Sequence, residues 1–184
     1  MDHRLERVEE ISLALHRAIQ VSKVSVIIFS ENYASSTSCL NEFVQTIKCK
    51  RRNGQFVIPV FYCIDPSYVR KQQGTYAVAF AMLEQHFRDR IHKVQEWRAA
   101  LTEATNLSGF DSWVIRPESK LVEAIVEDVL RKLNHISTSD LKGLVDGLRK
   151  LSRYYALVYL LFACSAAQKV IIALDDVNTA FQLE

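Results

Sequence analysis

The run Val24-Ser25-Val26-Ile27-Ile28-Phe29 is short, β-branched and apolar almost throughout. A run without polar alternation reads as a strand covered on both faces, as in a parallel sheet. It ends in a polar tip, Ser30–Ser38, whose hydroxyls suit the capping of a following helix. Cys39–Arg52 then carries Leu40, Phe43, Val44 and Ile47 at helical spacing, ends on Lys48, Lys50, Arg51 and Arg52, and precedes Gly54. Cations in a last turn with glycine just beyond mark a helix stop, so this basic cluster reads as a helix end rather than a nucleic-acid patch. Phe56–Tyr62 (FVIPVFY) is a second apolar strand; its Pro59 lacks a ladder donor and requires an edge or a bulge.

Working outward, Leu5, Val8, Ile11, Leu15 and Ile19 share one face of an opening helix. Downstream, Asp65-Pro66-Ser67 reads as a turn. Helical patterns cover Tyr76–Arg90, Val94–Leu107 and Leu121–Leu133, the last opened by Pro117, with Ser112–Ile115 as a short strand before it. Lys169–Leu174 (KVIIAL) is a further buried strand, ending on Asp175-Asp176. Strands alternating with helices predict an α/β fold: a parallel sheet flanked by helices, with sites at the carboxyl ends of the strands. Two strands and a short third leave sheet edges open, so part of the domain is expected to be missing.

Composition narrows the function classes. Of 184 residues, 49% are hydrophobic, enough for a packed core, and the net charge of +2 predicts neither nucleic-acid nor anionic-membrane binding. The four cysteines have neither CxxC nor zinc-ligand spacing and read as small buried hydrophobes in a reducing compartment. No secretory signal opens the chain, and the most apolar stretch, Tyr154–Cys164, falls short of the roughly 20 residues of a membrane helix. His3, His16, His86, His92 and His135 have no ligand spacing with the cysteines, so no metal is expected.

Several motifs carry a resemblance. Val24–Ser36 followed by Cys39-Leu40-Asn41-Glu42-Phe43 resembles the plant Toll/interleukin receptor (TIR) domain. The most specific match is Val57–Tyr62 followed by Asp65-Pro66-Ser67-Tyr68-Val69-Arg70-Lys71-Gln72-Gln73-Gly74, a DPSxVRxQxG run. Val94–Leu101 and Asn106–Gly109 continue the likeness, which covers about residues 2–134. It implies a flavodoxin-like TIR fold over 1–134, with the family's first strand and first helix missing. Residues 135–184 resemble a linker and a remnant of the receptors' nucleotide-binding (NB-ARC) domain. There Lys169–Val177 is similar to the Walker B strand, with Asp175 and Asp176 in its acidic positions; no phosphate-loop GxxxxGK[ST] accompanies it.

The resemblance implies a cytoplasmic protein of plant immune signalling, with the nucleus as a second compartment. Its activity would be cleavage of NAD+ to nicotinamide and ADP-ribose-type products. NAD+ is then a substrate, no cofactor stays bound, and partners are other TIR domains. Glu42 takes the family's catalytic position. Arg7, Ser30, Ser38 and Cys39 fall at the NAD+ pocket. A Glu in a helix's first turn is also a favourable partner for the helix dipole. Ser38 stands where the family carries a tryptophan and Val8 where it carries a glycine. These departures support an alternative: a catalytically inactive TIR that pairs with intact receptors and regulates them.

Overall fold

The computed structural model describes residues 15–104 and 106–133 and, as backbone, residues 170–174. Helix α1 (15–21) leads into β1 (Val24–Phe29), a 3-10 turn (Tyr33–Ser35), α2 (Thr37–Asn53) and β2 (Phe56–Phe61). Then follow α3 (Pro66–Lys71), α4 (Thr75–His86), a 3-10 turn (Arg88–Arg90), α5 (Ile91–Ala104), β3 (Phe110–Asp111), α6 (Glu118–Leu133) and β4 (Val170–Leu174). The four strands form one parallel sheet in the order β3-β2-β1-β4.

β1 lies in the interior of this sheet, which is why it is apolar on both faces. On one side Ile27, Phe29 and Phe61 pack with Leu40, Phe43 and Ile47 of α2, Tyr76 and Phe80 of α4, and Trp97 and Leu101 of α5. The Phe29 ring is the hub, its centroid 4.8 Å from Tyr33, 5.4 Å from Phe43 and 5.6 Å from Phe61. On the other side Val24, Val26, Ile58 and Val60 pack against Leu121, Ile125, Val129 and Leu133 of α6. Gln55 fastens the end of α1, its Nε2 donating to the carbonyls of Ile19 and Ser22 at 2.9 Å each.

Pro59 finds its edge-like position. β3 pairs only with Val60 and Phe61, so the strand beside Pro59 has left the ladder. Gly109 passes there so closely that a Cβ would lie 2.3 Å from the Pro59 carbonyl oxygen. Gly54 ends α2 in the left-handed region at φ 68°, as its sequence context predicts.

Several expectations are corrected. Asp65-Pro66-Ser67 opens a helix rather than a simple turn: the Asp65 carboxylate accepts from Ser67 N–H at 2.7 Å, and Pro66 stands in the first helical turn. The third strand lies at Phe110–Asp111, not 112–115. Asp111 Oδ1 accepts from Trp113 N–H at 2.7 Å, which turns the chain out of the sheet. Helix α4 stops at His86, where Phe87 leaves helical geometry at φ −105°, ψ 34°. β4 pairs with the edge of β1 that faces away from β2 and is itself the last strand of the sheet.

Candidate functional site

α2 starts two residues earlier than its sequence predicts. Ser36 is the cap, its hydroxyl accepting from Cys39 N–H at 3.3 Å, so Thr37 opens the helix. Glu42 is therefore the sixth helical residue, in the second turn, and no acidic residue occupies the first. The expected dipole partnership is lost, because the macrodipole acts within the terminal turn.

Glu42 is half-buried, and burial pushes its carboxyl above the usual carboxylate range, with His16 of α1 pulling the other way. The neighbouring Asn41 side chain accepts the Trp97 indole N–H at 3.1 Å, tying this turn to α5. Thr46 Oγ1 donates to the Glu42 carbonyl at 2.9 Å. Glu42 thus sits on a helix locked by its neighbours, with a carboxylate that is costly to ionise.

Ser30 follows β1 at the carboxyl end of the sheet. Its carbonyl accepts the Tyr76 hydroxyl at 2.9 Å, and its Oγ accepts from Asn32 N–H at 3.3 Å. Ser38 is exposed on the first turn of α2. Cys39 is 9% exposed and packs in the core, its carbonyl accepting the Tyr33 hydroxyl at 3.3 Å. Ser30, Ser38, Cys39 and Glu42 thus belong to one strand–helix unit, with Cys39 among its buried core residues. Arg7, Asp175 and Asp176 lie outside the described residues.

His16 has no ligand spacing in the sequence, and no role is expected for it there. Its charge acts on the Glu42 carboxyl from a different helix, and no local pattern encodes such a pairing. Among the described residues, no three His, Cys, Asp or Glu side chains gather as a metal site. Nor is any helix among them long and apolar enough to cross a membrane.

The DPSxVRxQxG run performs structural work. After α3, Gln72 takes a left-handed conformation at φ 52°, and its Nε2 donates to the Arg98 carbonyl at 2.9 Å. Gly74, at φ 60°, opens α4. Arg98 of α5 reaches Glu84 at 2.8 Å and stacks 4.3 Å from the Phe80 ring centroid. The motif ties α3, α4 and α5 together on the side of the sheet that α2 covers.

Comparisons with known proteins agree with this architecture. The disease resistance protein RPV1 of Vitis rotundifolia is 46% identical over 132 residues, covering 72% of this chain and 9% of that protein. The TMV resistance protein N of Nicotiana glutinosa is 42% identical over 144 residues, covering 78% of this chain and 13% of that protein. The chain therefore spans only a small part of these relatives' length. The TIR domains in the structure of the activated Roq1 resistosome directly recognizing the pathogen effector XopQ match at TM-score 0.61 and 44% identity, covering 64% of this chain and 72% of that one. The TIR domain family model matches residues 1–147, and with these relatives it shows that the chain belongs to the TIR domain family, in the form carried by plant disease resistance proteins.

Proposed function

We propose that this TIR domain acts in plant immune signalling by cleaving NAD+ between nicotinamide and ribose, with Glu42 as the catalytic carboxylate. The observation that carries the reading is the half-buried Glu42, its carboxyl raised by burial, on a helix that starts at the carboxyl end of β1. The chemistry asks little else. Nicotinamide leaves as a neutral base from a pyridinium, so no strong general acid is needed. The ribosyl carbon becomes oxocarbenium-like, and a carboxylate beside it stabilises that charge far better in a partly dry site than in water. Ser30 and Ser38, on the same strand–helix unit, offer hydroxyls to the ribose or phosphates.

The matched structure is of TIR domains in an activated resistosome, and by likeness this domain works by TIR–TIR association in the cytoplasm. A second reading, a TIR module that regulates receptors without catalysis, draws on the exposed Ser38, which supplies no aromatic surface against which nicotinamide or adenine stacks. Incubating the full chain at high concentration with NAD+ and following nicotinamide release separates the two. Release that vanishes in Glu42→Ala supports the enzyme. Folded protein that releases none leaves the regulatory module.

A further inference from the structure

The family match ends at residue 147, and nothing in it assigns a role to Val170–Leu174. The segment is apolar at all five positions, the pattern of a strand covered on both faces, and it is the last strand of the sheet. In the structure it runs parallel to β1 through five consecutive pairs, from Val24↔Val170 to Ile28↔Leu174. Helix α2 lies against both β2 and β4, so the layer that covers the sheet extends over the added strand.

Among the described residues, β4 is the strand on that edge of β1, and without it the edge would be bare. Consecutive N–H groups of a strand point to alternate sides, so half of the β1 donors would lack a ladder partner. A parallel neighbour requires a crossover connection of a dozen or more residues, and residues 134–169 separate α6 from β4, ample for this.

We propose that the edge of β1 facing away from β2 is a strand-docking site. Its ligand is the chain's own Val170–Leu174, bound as a parallel apolar β-strand. The same short sequence supplied as a peptide takes the site when the tethered strand is withdrawn. The recognition is β-augmentation: main-chain hydrogen bonds give the binding, and the apolar run sets the register. This role stands apart from NAD+ chemistry and needs no nucleotide at the KVIIAL strand.

Residue-resolved amide hydrogen exchange on the full chain tests it. Both alternating sets of amides in Val24–Phe29 are expected to be protected alike. If the set facing away from β2 exchanges at least about a hundredfold faster than the other, the edge is open and the proposal is overturned. In the double variant Ile171→Pro/Ile172→Pro, one proline must remove a donor on the β1 side, because neighbouring N–H groups alternate. That variant is expected to lose protection in the outward set of β1 and to bind a peptide of residues 168–176, which restores protection; the unmodified chain does not bind it. If the variant instead unfolds as a whole, refolding by the peptide supports docking. A peptide that neither binds nor restores protection in the variant overturns it.

Discussion

Glu42 and Asp65 are carboxylates on helices that follow neighbouring strands of one sheet, and their acidities move in opposite directions. Asp65 caps α3: Ser67, through its side chain and its backbone N–H, holds the carboxyl below the usual range. Glu42 sits inside α2, where burial lifts it above that range. The first acid is arranged to be comfortably charged, and its work is to start a helix. The second is charged at a cost, which is the arrangement the proposed catalytic role makes use of. Solvation and hydrogen bonding thus set apart two like carboxyls, one a helix cap and the other the proposed catalytic group.

The hardest blow to this contrast is Glu42→Ala beside Asp65→Ala in one assay. Glu42→Ala should cut nicotinamide release at least about a hundredfold, the scale of losing a transition-state electrostatic partner. Asp65→Ala should change release less than about threefold, because Asp65 acts as a helix cap. Equal losses in folded proteins would erase the distinction.

Asp65→Asn sharpens the structural side. Asn still caps, so only the charge is removed. A carboxyl whose acidity is increased by folding adds stability above its unfolded pKa, near 3.8, and loses it as pH falls through the lower folded value. The variant should therefore melt below the parent at neutral pH, with the gap closing below about pH 4. A gap that persists undiminished in acid would assign the effect to packing.

A smaller effect concerns the rate. The catalytic form of Glu42 is the carboxylate, so nicotinamide release should rise as pH climbs through a value above the ordinary 4.5 and then level off. A rate still at its plateau at pH 4.5 would mean that burial does not hold the carboxyl in the working site.

Much of this was legible in the sequence. The unbroken apolar runs of β1 and β2, and the cations and Gly54 after α2, are local signals, and they placed those elements within a residue or two. α3 was missed because six residues between a capping Asp and a left-handed Gln give no periodicity to read. The start of α2 was misplaced because Ser35, Ser36, Thr37 and Ser38 are all plausible caps, and only Ser36 points its hydroxyl at a free N–H. The third strand was misread because Trp113, Val114 and Ile115 look strand-like, yet they turn outward around Asp111. Glu42 was found through family likeness; its burial and its His16 neighbour depend on residues far apart in sequence. The pairing of β4 with β1 is the same kind of fact, since an apolar strand does not name its partner.

Glu42→Gln puts the central claim to its most direct test, because it keeps the shape and removes the charge. Folding raises the pKa of Glu42, so its ionised form costs stability above pH 4.5. The account predicts a variant more stable than the parent at neutral pH, by less than about 1 kcal/mol since water screens a half-exposed group, and unable to release nicotinamide from NAD+. Retained nicotinamide release by the stable variant would contradict it.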